Sequence, residues 1–236
     1  MLKCALCLNI SALKNSHIIP EFVYKPIYDE KHRCHFISVN PRDSDRLLQK
    51  GLREPLLCAD CEQKFSKWER YTSLMFSGGN PVSVSRVGEL LKVEQIDAAS
   101  FRLFQLSILW RASISKNVFF RHVSLGAHEE KIRLMLLNED PKPWDYAVCM
   151  MFGLQSKEFS PAGIIVQPNR GHADGHTSYR FIFSGFGWMY FVSSHSPSET
   201  LKASCLDSNG NMPILLTNFE AIEWMQRFAL RRSLLE

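Results

Sequence analysis

Apolar positions after Cys61 recur at helical spacing through Phe65, Trp68, Tyr71 and Met75 and predict a helix running to about residue 76. Ser77-Gly78-Gly79-Asn80-Pro81 then breaks the pattern. Residues 82–96 read as a strand pair or a linker. From Ala98 to Ser115 the chain is apolar nearly all round, through Phe101, Phe104, Leu106, Ile108, Leu109, Trp110 and Ile114, which predicts a buried helix. Its Arg102 and Arg111 then read as members of an internal ion pair ahead of phosphate contacts. A further helix is expected over 128–137, ending before Glu139-Asp140-Pro141-Lys142-Pro143.

The second half reads as sheet. Residues 145–154 and 162–168 look like strands. Tyr179, Phe181 and Phe183, then Trp188, Tyr190 and Val192, alternate on either side of Ser184-Gly185-Phe186-Gly187, a hairpin signal. Its aromatics are expected in a core sheet in preference to a base-stacking platform. His172, Asp174 and His176 carry metal-capable atoms, but the glycines of 169–176 favour a mobile hairpin connection. A closing helix is expected over 218–234, with Arg227, Arg231 and Arg232 suiting the dipole at its C-terminal end.

Composition adds boundaries. The 236 residues are 45% hydrophobic and 22% charged, as in folded globular chains, which excludes wholesale disorder. No apolar run approaches the roughly 18 residues of a membrane span, and the N-terminal apolar stretch is too short for a signal peptide. The expectation is a cytoplasmic protein with no membrane partner. A net charge of +4 permits a polyanionic partner without requiring one. Seven cysteines, an odd number, argue against a disulfide framework in a reducing compartment and direct attention to their spacing.

Cys4 and Cys7 form one Cys-x-x-Cys and Cys58 and Cys61 another, fifty residues apart. Two such knuckles close the four positions of a tetrahedral structural Zn2+ site, leaving none open for substrate. Cys34, in His32-Arg33-Cys34-His35, reads as part of a solvated loop or strand edge ahead of an alternative ligand. Cys149 and Cys205 sit in apolar surroundings and read as small core residues.

Between the knuckles lies Ser16-His17-Ile18-Ile19-Pro20, and the second knuckle reads Leu56-Leu57-Cys58-Ala59-Asp60-Cys61-Glu62. Over about residues 4–69 this combination resembles the HNH endonuclease family, in particular the four-cysteine, zinc-bearing members with a ββα-metal core. The resemblance implies that His17 is the general base that polarises water for attack on a phosphodiester, and that Glu62 binds a divalent cation, Mg2+ or Mn2+. Ser16 stands where the family commonly carries Asp, and Glu62 returns one negative charge to the site. The family's middle Asn has no counterpart in Arg53-Glu54-Pro55-Leu56-Leu57, and an insertion of about 22–50 leaves and rejoins the core. Glu69, seven residues beyond Glu62 and so on a similar helix face, reads as a solvated carboxylate ahead of a supporting role beside the metal or His17. Glu21, four residues beyond His17, reads the same way.

The expected fold class is therefore α+β: a treble-clef or ββα-metal zinc domain over 1–80, then an α+β domain with an antiparallel sheet over 98–236 for substrate or partner recognition. The resemblance implies a DNA-cleaving enzyme in a bacterial defence or mobile-element setting, with a partner protein or a homodimer among the assemblies it allows. The rival reading is a catalytically degenerate zinc module that binds nucleic acid or a partner protein.

Overall fold

A computed structural model describes residues 1–31, 33–36 and 46–222 of the chain. At the N-terminus β1 (Leu2–Lys3) and β2 (Ile10–Ser11) pair antiparallel. The turn between them holds Cys4 and Cys7, closed by Leu8 N–H donating to Cys4 O at 3.0 Å and by Leu8 at a φ of 64°. β3 (Lys14–His17) leads through Pro20 into the single turn α1 (Glu21–Tyr24) and a 3₁₀ turn, Lys25–Ile27. β4 (Arg33–Phe36) and β5 (Arg46–Gln49) form a hairpin inside the expected insertion. The chain returns as β6 (Arg53–Leu57), antiparallel to β3, and enters α2 (Ala59–Phe76) directly at Cys58.

A second hairpin follows, β7 (Ser83–Val87) and β8 (Leu90–Glu94), so the segment expected as strand pair or linker is a strand pair. α3 (Ala98–Ile114) is buried at thirteen of its positions. Asp97 caps it by accepting from Ser100 N at 3.1 Å and Ser100 Oγ at 2.7 Å. Replacing Asp97 by Ala should cost about 1 kcal/mol of stability, read as a lowered urea midpoint at unchanged slope. After α4 (His128–Leu137) come β9 (Val148–Gln155), β10 (Val166–Ala173), β11 (His176–Phe183), β12 (Phe186–Val192), α5 (Glu199–Ala203) and β13 (Met212–Asn218).

Strands β7 to β13 make one seven-stranded sheet in the order β10-β11-β12-β9-β13-β8-β7. It is antiparallel except where β13 runs parallel to β9, so the expected antiparallel sheet is in fact mixed. The parallel pair arises because β13 inserts between β9 and β8 after the crossover through α5. β13 itself is a strand the sequence reading lacked. Of the closing helix expected over 218–234, the described part is the end of β13 at Asn218 and a 3₁₀ turn at Phe219–Ala221; residues 223–236, with Arg227, Arg231 and Arg232, lie outside the described residues. His32 and the side chain of Cys34 lie outside them too.

The hairpin connection expected over 169–176 is there but shorter. His172 and His176 belong to paired strands, and Asp174 and Gly175, with φ of 52° and 73°, make the two-residue turn between them. The expected strand over 162–168 begins only at Val166, after a 3₁₀ turn at Pro161–Gly163.

α2 and α3 cover one face of the sheet. Phe76, Phe101 and Phe104 each lie within 6.2 Å of the Trp188 ring centroid. The other face carries Val148, Phe191, Leu201 and Cys205. One contiguous cluster of buried side chains runs from Cys4 and Leu6 through Phe65 and Trp68 to Trp110, Trp188 and Ile214. The segments 1–80 and 98–236 thus share a core. Both Cys149 and Cys205 are buried, as expected. Among the described residues no helix is long and apolar enough to cross a membrane.

Candidate functional site

The fold brings the four knuckle cysteines together: their sulfur atoms all lie within 4.8 Å of one another. Cys7 Sγ and Cys58 Sγ are 3.8 Å apart, the edge of a tetrahedron with Zn–S bonds of about 2.3 Å. The Cys58 N–H donates to Cys4 Sγ at 3.3 Å. Burial disfavours ionisation of Cys4, but the N–H donors of Cys58, Cys7 and Leu6 outweigh it and hold this thiol down to about 7. Burial, followed by the facing sulfurs, pushes Cys61 up, and burial raises Cys7 as well. Four sulfurs so crowded resist joint ionisation unless a cation sits among them. The donor set fits Zn2+. The C-terminal half braces the knuckle: Arg133 of α4 donates to Leu6 O while paired with Glu130 at 2.7 Å.

His17 ends β3, opposite Arg53 of β6. Its Nε2 lies 3.1 Å from Lys50 O. A carbonyl only accepts, so Nε2 carries the proton and Nδ1 keeps the ring's lone pair. The carbonyl is delivered by Lys50 and Gly51, both in the left-handed region with φ of 62° and 70°. A Cβ on Gly51 would stand 2.9 Å from the Tyr24 ring, so both conformation and space demand glycine there. Burial, the largest cause, lowers the His17 pKa below its ordinary 6.5; Lys50 O and the Glu21 charge oppose this, and Arg53 and Arg111 add to it.

Glu62 sits in the first turn of α2, one residue past the last cysteine, and its Oε1 is shielded from solvent with no hydrogen-bond partner. Glu69 is not the solvated carboxylate expected. Its Oε1 lies 2.8 Å from Nη1 of Arg111, whose side chain is 1% exposed. The same Nη1 donates to His17 O at 2.6 Å, and Arg111 Nε donates to Ser107 O at 3.2 Å. Burial raises the Glu69 pKa, Arg111 lowers it, and the Glu62 and Glu21 charges raise it further. Three carboxylates and one buried arginine therefore share a single electrostatic neighbourhood beside His17.

Ser16 takes no part in it. It is buried on the opposite face of β3, its Oγ 3.4 Å from Lys14 O. Arg102, the other candidate for an internal ion pair, instead donates to the carbonyls of Ala147 and Tyr146 and so ties α3 to the loop before β9. Among the described residues, the cysteines are the one group of three or more metal-capable side chains whose ligand atoms lie close enough for a shared ion; His17, Glu62 and Glu69 do not form a second such group.

An apolar cavity of about 500 Å³ opens between α1, the end of α2 and the sheet, lined by Phe22, Met75, Phe76, Phe186 and Met212 with Lys25 at its side. The lining holds no carboxylate, imidazole or thiol, and Lys25 is its one titratable side chain. Arg111 does enter the internal ion pair expected of it; what the sequence reading missed is the partner, Glu69. Comparison with protein-family models, with curated proteins and with solved structures gave no match for this chain.

Proposed function

We propose that the chain is a zinc-stabilised, HNH-like endonuclease whose N-terminal module is a treble-clef ββα unit hydrolysing DNA phosphodiester bonds. Two observations support this reading most: the His17 ring is held as its Nε2–H tautomer by Lys50 O, and Glu62 carries a shielded carboxylate oxygen with no hydrogen-bond partner. His17 sits on β3, paired with β6, and Glu62 on the helix that follows β6 directly. Nδ1 of His17 takes the proton of the attacking water, and Lys50 O holds the ring as its positive charge develops. Glu62, with Glu69 in support, is the place for Mg2+ or Mn2+, ions that keep several waters and need only one or two protein carboxylates. Such a cation supplies charge neutralisation at the phosphorus and at the leaving oxygen.

The test is cleavage of plasmid and branched DNA with Mg2+ or Mn2+. His17→Ala should lower the rate by about 10² to 10⁴-fold; equal rates would remove His17 from the mechanism. Because the base must be neutral and burial lowers its pKa, the acid limb of kcat/KM should fall below pH 6.5 in the wild-type profile. A limb above 6.5 contradicts the assignment.

One observation favours a second reading. Ser16 turns its hydroxyl to Lys14 O, so the position that commonly carries an acidic ligand supplies none. A degenerate zinc module that binds DNA or a partner protein would then show salt-sensitive DNA binding, or a stable protein complex, and no cleavage under any metal.

A further inference from the structure

We propose that Arg53 is a phosphate-binding residue of the His17 site, its guanidinium gripping non-bridging oxygens of the phosphodiester on which His17 acts. The proposal deepens the endonuclease reading and rests on it for the identity of the substrate. His17 and Arg53 are cross-strand partners in the β3–β6 pair. Opposed residues of an antiparallel pair project from the same face with Cβ atoms about 4.5–5.5 Å apart, so the guanidinium and the imidazole share a face.

The adjacent pair, Ser16 and Glu54, projects to the other side. There Ser16 is buried, and the Glu54 carboxylate accepts from the Ser115 hydroxyl and from Lys116 N and Asn117 N at 3.0 and 2.9 Å. The one acidic neighbour of Arg53 on its own strand is thus consumed in holding the end of α3.

The Arg53 side chain is half-buried and makes no hydrogen bond or ion pair with any described residue. Among the described residues the fully buried arginines are engaged, Arg102 by carbonyls, Arg111 by Glu69 and His17 O, Arg133 by Glu130 and Leu6 O, while Arg180, half-buried like Arg53, also lacks a side-chain partner. A partly desolvated guanidinium presents five N–H donors in a rigid fork. Its complement is an oxyanion taken bidentately, which a phosphate group supplies. The Arg53 charge also helps keep His17 neutral, the state a base needs before an anionic ester arrives. Exposed Lys50, whose carbonyl meets the His17 ring, adds positive charge near the pair for a polyanion.

The experiment titrates inorganic phosphate into the full zinc-loaded chain at fixed pH while following the His17 ring signals by NMR, in wild type, Arg53→Ala and Arg53→Lys. Wild type should shift saturably, Arg53→Ala should lose the shift, and Arg53→Lys should retain it at weakened affinity. No shift in wild type, or an equal shift in Arg53→Ala, overturns the assignment. On DNA, kcat/KM should fall about 10² to 10³-fold in Arg53→Ala and partly recover with added guanidinium; an unchanged value also overturns it. If Arg53→Ala fails to retain its zinc, Arg53→Gln replaces it under the same criteria. A phosphate shift that depends on Arg53 in a protein that cleaves nothing would sink the endonuclease reading while leaving the anion site standing.

Discussion

Stripping the metal from the protein should collapse the shared core and not merely the first few residues. Apparent zinc contributions in small four-ligand modules are about 10–16 kcal/mol, whereas whole domains are stable by only about 5–15 kcal/mol. Without the ion, four sulfurs within 4.8 Å of one another leave the buried strand ends and the start of α2 with no cross-link. Leu6, Leu57 and Phe65, each 0% exposed, then lose the scaffold that buries them. Because their cluster is continuous with Trp110 and Trp188, the fluorescence of tryptophans far from the knuckle should report the loss. Elemental analysis of wild type should give one zinc per chain, and Cys58→Ser should reduce it below half. A strong chelator should lower the urea midpoint of wild type to that of Cys58→Ser and leave the variant unmoved. Cys149→Ala, buried but remote from the knuckles, should keep its zinc and lose only the 1–3 kcal/mol of a small core truncation. A wild-type protein that folds with no bound metal would end the zinc assignment.

How much of this was legible in the chain follows the range over which each signal acts. The paired Cys-x-x-Cys spacing is local twice over, so a four-cysteine group able to hold a metal ion could be read before any contact was known. α3 announced itself through apolar positions all round, while its cap, Asp97, emerged only from the structure. The β10–β11 turn was misread because Gly171 and His172 look like loop residues, while only Asp174 and Gly175 adopt the positive φ that the turn requires. β13 escaped because Pro213 is a weak strand former and its parallel seat beside β9 is decided by a long crossover that no local pattern encodes. Arg53 has no signal in sequence: its meaning comes from lying across a strand pair from His17 while Glu54 faces away. Glu69 read as solvated because helix spacing says which face a residue shares, not what another element lays against that face.

Breaking the Glu69–Arg111 pair gives the second large effect, and its pH dependence separates it from ordinary loss of packing. Removing one member of a buried ion pair costs about 3–5 kcal/mol because the other charge is left uncompensated. The lower end, about 3 kcal/mol, applies here since the Glu69 side chain keeps 21% exposure. Arg111→Met should therefore lower stability by that amount near pH 8, measured by urea unfolding with zinc bound. Burial, reinforced by Glu62 and Glu21, places the folded-state pKa of Glu69 above its ordinary 4.5, and Arg111 is the group that pulls it back. In the window between 4.5 and the raised value the native state binds more protons than the unfolded chain, so the contribution of this group falls as pH rises. Arg111→Met removes the opposing charge and widens the window, so its deficit should be largest at alkaline pH and shrink as pH approaches 5. Glu69→Gln strands the arginine instead, and its cost should not shrink on acidification. The double variant should cost clearly less than the sum of the two, since each single change already forfeits the same attraction. Deficits that are additive and flat with pH would mean that Arg111 acts through packing on Phe65, whose ring lies 5.2 Å from its guanidinium carbon, and not through the carboxylate.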